Sequence, residues 1–368
     1  MHTPSVRPFN ERRRVTKSFW KTLALYAVGL GLLAYVVARN WKGEQGLEEV
    51  LRRPVQWMPF LAAGTLLAAS AFVTFFRWWL LVRVLGLAFG LGNAVRLGLV
   101  GFFFNTVLPG GVGGDIVKAV GIAHGQARRA LAVSTVLFDR AVGLWALVWL
   151  VAISGGIYQL AAASDHNLLA TNPGVAAIVR ASWLITIGTI IAWWAVGLIS
   201  ERLEHRVAAR LATVPKAGRF LSECWRATWL YRKHPWAVAV SLALSLGVHT
   251  LNVLAFYAAS RVFVPPADAD NLPGLAGNFL VVPVGMAVEA FFPTPGGVGG
   301  SEYGYGKLYA LLGKPEAFGV LASLAQRVLR WTLGLIGYLI YLRMRPPGIR
   351  EQEPEVRNQE SVKALLDS

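Results

Sequence analysis

LVGFFFNTVLPGGVGGDIVKA (Leu99 to Ala119) and VEAFFPTPGGVGGSEYGYG (Val288 to Gly306) carry the same hexapeptide, PGGVGG, at Pro109 to Gly114 and Pro295 to Gly300, 186 residues apart. A polar pair follows each string: Asp139-Arg140 after the first and Gln326-Arg327 after the second, at an offset of 187. Identical strings that keep their distance to a second pair argue for duplication. The chain therefore reads as two halves, repeat 1 about 22–155 and repeat 2 about 176–343.

Outward from these strings the chain is apolar. Its 368 residues are 55% hydrophobic and 15% charged, with mean hydropathy +0.49, beyond the range of soluble domains. Six stretches approach or exceed the roughly 20 residues that cross a bilayer core: Thr22 to Ala38, Trp57 to Phe76, Leu131 to Ile153, Ala181 to Ile199, Trp236 to Ser260 and Ala317 to Leu342. Trp41, Trp57, Trp78, Trp79 and Trp236 stand at span ends, as interfacial anchors do. Arg39, Asn40 and Trp41 follow the first span where a cleavage site would need small residues, so that span reads as a signal anchor.

The net charge of +16 would suggest nucleic acid in a soluble protein, but here the basic residues lie mostly between apolar spans and report topology. The basic N-tail, 1–21, is expected in the cytoplasm. Alternation then places Arg77, Arg83, Arg96, Lys118, Arg128 and Arg129 on the cytoplasmic side, and likewise the basic Ser200 to Pro235 segment, which is partly amphipathic. The Lys/Arg-free Gly156 to Val175 loop falls outside. The expected location is the cytoplasmic (inner) membrane, with both termini inside and a disordered tail over 344–368. The single cysteine, Cys224, excludes an internal disulfide and a thiolate metal cluster.

Neither glycine string fits a full crossing, because proline and consecutive glycines break a helix near its middle. If both are re-entrant hairpins, each half keeps three true crossings, and an odd number inverts the second copy. The expected fold is thus an all-α polytopic membrane protein: one transmembrane domain, 22–343, of about six full transmembrane helices plus two re-entrant broken-helix hairpins in an inverted repeat, the plan of secondary transporters. Backbone exposed at that depth must line a cavity or be buried in protein.

The glycines free backbone N–H groups just before helices that begin near Asp115 and Ser301-Glu302, an arrangement that favours anions. Asp115 and Ser301 also read as N-cap residues. The strings are not nucleotide loops: Lys118 lies four residues beyond Gly114 rather than directly after it, and Ile116 breaks the Rossmann pattern. Arg140 and Arg327 sit deep enough to be costly. One reading pairs them structurally, Arg140 with Asp139 or Asp115 and Arg327 with Glu289 or Glu302; the other lets their remaining donors hold a phosphate. Arg330 is placed to join the site or to snorkel, and Lys118 and Lys307 are weaker candidates. Glu289 reads as a partner of Arg327 or a proton relay, and His249 and Asn252 as interhelical hydrogen-bonding groups. No metal constellation or nucleophile with a nearby base is present, so neither cofactor nor enzymatic activity is expected.

FFFNTVLPGGVGGDIVKA, VLFDRAVGL (Val136 to Leu144), FFPTPGGVGGSE and the Gln326-Arg327 pair together resemble the flippase-like transmembrane domain of the lysylphosphatidylglycerol synthase family, over about Phe19 to Leu342. The resemblance implies a transporter-like role in lipid biology without the separate soluble domain that performs aminoacyl transfer. It carries the family's motif positions onto Asn105, Pro109, Gly110, Gly111, Val112, Gly113, Gly114, Asp115, Asp139, Arg140, Thr294, Pro295, Gly296, Gly297, Val298, Gly299, Gly300, Glu302 and Arg327. Gln326 stands where the first copy has Asp139, so the charge symmetry of the halves is incomplete.

The function expected from these readings is a lipid flippase for an anionic phospholipid or polyprenyl-linked intermediate, its headgroup received by the glycine loops and Arg140/Arg327. The alternative is a membrane-embedded lipid-binding accessory subunit of a glycosyltransferase or lipid synthase, and a third is an intramembrane transferase with Asp115 or Glu302 as base. The partners implied are membrane lipid and no nucleic acid, with a homodimer or a lipid-modifying enzyme as protein partners.

Overall fold

A computed structural model of the chain describes residues 11–43, 45–124, 126–161, 170, 172–215 and 218–344. Residues 1–10 of the expected N-tail and the expected tail from 345 onward lie outside these residues, whereas 11–21 begin the first helix. Among them the chain forms helices and no strand: α1 (Glu11–Arg39), α2 (Leu47–Leu51), α3 (Trp57–Val84), α4 (Leu91–Val107), α5 (Gly113–Ala123), α6 (Arg129–Ala161), α7 (Pro173–Gly197), α8 (Glu201–Ala212), α9 (Gly218–Arg232), α10 (Pro235–Ala259), a 3-10 turn (Pro266–Asn271), α11 (Leu275–Phe291), α12 (Gly300–Leu311) and α13 (Glu316–Arg343). Helix starts follow local chemistry. α7 opens at Asn172, whose side chain accepts from the N–H groups of Gly174 and Val175 ahead of Pro173, and α10 opens at Pro235, a residue suited to the first turn.

Six helical stretches are long and apolar enough to cross a membrane: 20–39, 57–84, 129–160, 173–197, 235–259 and 268–290. The first five match the spans expected from sequence. α13 is not among the six, although its 28 residues extend about 42 Å, because Arg327 and Arg330 lower its hydropathy. Outward faces are apolar, as hydrocarbon requires: on α7, Leu184 and Trp194 are each 73% exposed.

The duplication is visible in the packing. The order α4, turn, α5, α6 recurs as α11, turn, α12, α13. α5 lies on α6 and α12 on α13, while α4 packs against α13 and α11 against α6, so the last helix of each half touches its own hairpin and its counterpart's. α3 and α10 form the most extensive contact between the halves. At the centre Pro109 and Pro295 make one antiparallel backbone bridge. These two prolines are the first residues of the repeated hexapeptides, and a contact between equivalent positions is the mark of a local two-fold relation. The outer helices depart from it: α1 lies against α12, whereas α7 lies against α6. Each hairpin has its own apolar core, with Trp78, Leu97, Ile122 and Val136 around the first and Phe256, Tyr305, Tyr309 and Phe318 around the second. The amphipathic α8 and α9 pack on each other, and α9 also on α6.

Candidate functional site

α4 and α5 are too short to cross a roughly 30 Å core singly, at about 25 Å and 17 Å, and they fold back on each other as a helical hairpin. Glycine allows the approach. A Cβ on Gly114 would meet the Gly101 carbonyl oxygen at 2.3 Å, and one on Gly113 the Phe104 carbonyl oxygen at 2.6 Å. In the second hairpin, Gly300 lies against the Phe292 ring and Gly299 against the Gly29 carbonyl of α1. The turns themselves need left-handed backbone, with φ of +80° and +60° at Gly110 and Gly111 and +55° and +67° at the equivalent Gly296 and Gly297.

The helices after the turns begin earlier than the sequence suggests, at Gly113 and Gly300, and neither Asp115 nor Ser301 is a cap. Nor are all the turn amides bare. Asn105 Oδ1 accepts from the Gly114 N–H at 2.7 Å, and Glu302 Oε2 accepts from the Gly299 N–H at 2.7 Å. Side chains of the protein already take part of the anion-binding capacity expected of these helix starts.

The two arginines lock their own hairpins. Arg140 pairs with Asp115 and donates to the Gly111 carbonyl at 2.9 Å. Arg327 donates through Nε to Glu302 at 2.7 Å, through Nη1 to the Gly296 carbonyl at 2.9 Å and through Nη2 to Ser301 Oγ at 2.5 Å. Of the alternative partners, Asp115 and Glu302 hold these arginines, and the other two acids are committed elsewhere. Asp139 serves Arg77 rather than Arg140: Arg77 Nε lies 2.8 Å from Asp139 Oδ1, Nη2 reaches the Asp139 carbonyl, and Nη1 donates to Ser245 at 2.6 Å, tying α3, α6 and α10 together. Glu289 pairs with Arg330, which also donates to Gln326 at 3.0 Å. Arg77 was expected in a cytoplasmic loop but is a buried core group, because α3 continues to Val84.

Between the hairpins lies a cavity of about 350 Å³. It is lined by Ser70, Thr74 and Phe75 of α3, Asn105 and Thr106 of α4, Lys118 of α5, Asn252 of α10, Met286 and Glu289 of α11, and Arg327, Arg330 and Trp331 of α13, with Gly111, Gly296 and Gly297 from the turns. Of the residues singled out in sequence, the structure brings Asn105, Gly111, Lys118, Asn252, Glu289, Gly296, Gly297, Arg327 and Arg330 to this wall. Glu302 lies buried behind Arg327, Thr294 is buried with its hydroxyl on the Val298 carbonyl, and Asp115 and Arg140 do not line the cavity. Gly110, Gly113, Gly114, Gly299 and Gly300 shape the turns and their packing. His249 hydrogen-bonds the Gly143 carbonyl at 2.8 Å, the interhelical role expected of it, whereas Asn252 donates within its own helix to Val248 at 2.8 Å. Lys307 pairs with Glu316 away from the cavity.

The neutral polar groups Ser70 and Thr74 carried no signal in the sequence, since single hydroxyls in apolar spans are common and their facing depends on tertiary packing. The paired turns, the ion pairs behind them and the polar cavity they share all fall within residues 22–337, the stretch that matches the lysylphosphatidylglycerol synthase TM region. No curated protein and no solved structure matches the chain. By this match the chain belongs to the family of the lysylphosphatidylglycerol synthase transmembrane region.

Proposed function

We propose that the protein translocates a lipid across the cytoplasmic membrane, with the headgroup passing through the cavity where the two glycine turns meet. The observation that carries this reading is the Pro109–Pro295 bridge: equivalent turns of the two halves touch, and the same cavity is walled by both. In this reading the hairpins are re-entrant, entering from opposite sides of the bilayer. The two halves tilt about the bridge and open the cavity alternately to each leaflet. Chains of the lipid remain in hydrocarbon, against the exposed apolar faces of α1 and α7. The basic α8–α9 segment and both termini face the cytoplasm, following the excess of Lys and Arg there. The role is transport without covalent chemistry, and the substrate is a phospholipid or polyprenyl-linked lipid.

The test is headgroup translocation in proteoliposomes with fluorescent phospholipids and a polyprenyl phosphate, comparing the wild type with Thr74→Trp. This substitution fills the cavity and leaves every ion pair in place. Transfer by the wild type and its loss in the variant support the reading. Lipid binding without transfer over the whole panel points instead to an accessory subunit that presents lipid to a glycosyltransferase or synthase.

A further inference from the structure

We infer that Glu289 is a proton-binding site: an anionic headgroup that takes its place on Arg330 leaves the carboxylate to take up one proton, so that a pH gradient drives translocation. This rests on, and deepens, the translocator reading. Four acids lie in the two hairpins and α6, and three of them serve the fold. Asp115 holds Arg140, and Asp139 holds Arg77. Glu302 has no exposed side-chain surface and accepts from Gly299, Ser301, Ser323 and Arg327. Glu289 is placed differently. Among the described residues its only partner is Arg330, and the two line the cavity with 17% and 23% of their side-chain surface open.

The repeat draws the same distinction. The locks recur in both halves, as Asp115 with Arg140 and Glu302 with Arg327. Glu289 and Arg330 have no counterpart: Phe103 stands 186 residues before Glu289, and Gly143 stands 187 before Arg330. The first hairpin forms without such a pair, so the scaffold does not require one. An ion pair at membrane depth is costly to enclose, and one that the scaffold does not need marks a functional group.

Gln326 makes the exchange feasible. Its Oε1 accepts from Arg330 Nη2 at 3.0 Å, so Arg330 keeps an anchor when Glu289 leaves it. A headgroup anion entering the cavity bonds Arg330 in place of Glu289. The freed carboxylate then has no counter-charge, and it forms an O–H bond with a proton given up by hydronium in the water that enters with the headgroup. Once the headgroup has crossed and left Arg330, that bond breaks, the proton passes to water on the new side, and the ion pair re-forms. Proton and anion each favour the binding of the other, as linkage requires. With a singly charged headgroup the loaded and empty forms carry the same net charge, so the pH difference drives the cycle and the membrane potential does not. The other charged and titratable groups around Glu289 are Arg327 of α13, Tyr305 of α12 and, on the cavity wall, Lys118 of α5. α6 and α10 also pack on α11, but their Asp139, Arg140 and His249 are held by Arg77, Asp115 and the Gly143 carbonyl. Of all these groups only Glu289 combines a negative charge, a single partner and a place in the cavity.

The test uses the full chain in proteoliposomes with fluorescent phosphatidylglycerol and phosphatidylserine, each with one net negative charge, and phosphatidylcholine as the neutral probe. Albumin extraction reads the distribution between leaflets. With one pH unit across the membrane, the wild type should enrich the anionic probes about tenfold in the leaflet facing the alkaline side, the ratio for one proton per lipid. Reversing the gradient should reverse the enrichment, and a potassium diffusion potential should produce none. Glu289→Gln should reduce the enrichment to less than twofold, whatever its rate of transfer, and Glu289→Asp should restore most of it. A measurement on the wild type alone covers the case in which the Gln variant fails to fold. Dicyclohexylcarbodiimide, an apolar reagent for protonated carboxyls, should label Glu289 and spare Asp139 and Glu302, at least threefold faster in mixed micelles with phosphatidylglycerol than with phosphatidylcholine. The inference is overturned if enrichment survives Glu289→Gln, if voltage rather than pH sets it, or if the reagent spares Glu289 or labels it no faster with the anionic lipid. Equilibration by the wild type that ignores the pH gradient leaves the translocator reading standing and removes this inference. Anion-stimulated labelling of Glu289 with no transfer of any probe keeps the proton site and removes the translocator reading.

Discussion

At the second glycine turn the Glu302 side chain is fully buried and Arg327 retains 8% of its surface, whereas at the first turn Asp115 and Arg140 retain 15% and 30%. The first two glycines of each turn match, but Gly299 is left-handed at φ +82° where the equivalent Gly113 already opens α5, and the acid stands one step further along the second helix. Ile116 stands where the second copy has Glu302, and Asp115 stands where it has Ser301. One residue turns a side chain by about 100° on an α-helix. Glu302 thereby points beneath α13, where it accepts from Gly299 N–H, Ser301, Ser323 and Arg327, and Asp115 reaches only Arg140. The second turn is closed by a satisfied network, although Gly296, Gly297 and Arg327 still line the cavity. The first hairpin has a looser lock, and its Lys118 is the cavity cation that makes no ion pair among the described residues. The repeated turns thus differ in how tightly their own side chains close them, while both halves line the cavity.

The sharpest way to break this comparison is to open the second lock. Arg327→Met or Glu302→Leu alone leaves an uncompensated charge in the interior and should lower stability by about 3–5 kcal/mol, while the double substitution should recover most of the loss. SDS titration in mixed micelles measures both. If the double variant is no better than the singles, Arg327 and Glu302 are not a matched pair. Asp139→Asn should rank next, at about 2–3 kcal/mol, because Arg77 loses its counter-charge but keeps Ser245 and the Asp139 backbone carbonyl. Arg140→Ala should cost about 1–2 kcal/mol, given the partial exposure of both partners. An Arg140→Ala loss as large as that of Arg327→Met would erase the distinction between the turns.

These contrasts also mark what the sequence can show. The hexapeptides, their distance to Arg140 and Arg327, and five of the spans can be read directly, because repetition and long apolar runs are local properties of a string. Arg77 cannot be read so easily. Flanked by Phe76 and Trp78 at the end of an apolar run, it resembles an interfacial anchor, and only the continuation of α3 to Val84 carries it inside. One signal was available: Asp139 and Arg140 are adjacent on a helix and so face different directions, which means Asp139 needs another cation. Lys118 was obscured in a similar way, since Asp115 three residues earlier offers an apparent helix-surface partner. Its isolation becomes apparent only once Arg140, 25 residues further on, is seen to hold that carboxylate. Which ions are left over is a property of the whole fold.

The smallest expected difference, about 1 kcal/mol, lies between the two turns themselves and compares the halves at the level of single atoms. Gly111 and Gly297 are equivalent, with φ of +60° and +67°, so an alanine at either is strained by about 1–2 kcal/mol on backbone grounds alone. Their surroundings differ. A Cβ at Gly111 has the Ala290 carbonyl oxygen at 3.9 Å as its nearest neighbour, but a Cβ at Gly297 falls 2.8 Å from the Glu289 Cγ. To make room Glu289 must shift, and it is the partner of Arg330 on the cavity wall. Gly297→Ala should therefore cost about 1 kcal/mol more than Gly111→Ala, the scale of modest overpacking. It should also be the variant that changes lipid binding, because it displaces the neighbouring ion pair. Equal losses for the two alanines in SDS titration, with unchanged lipid binding in both, would mean that Glu289 yields freely and that the two turns are as alike in their surroundings as they are in sequence.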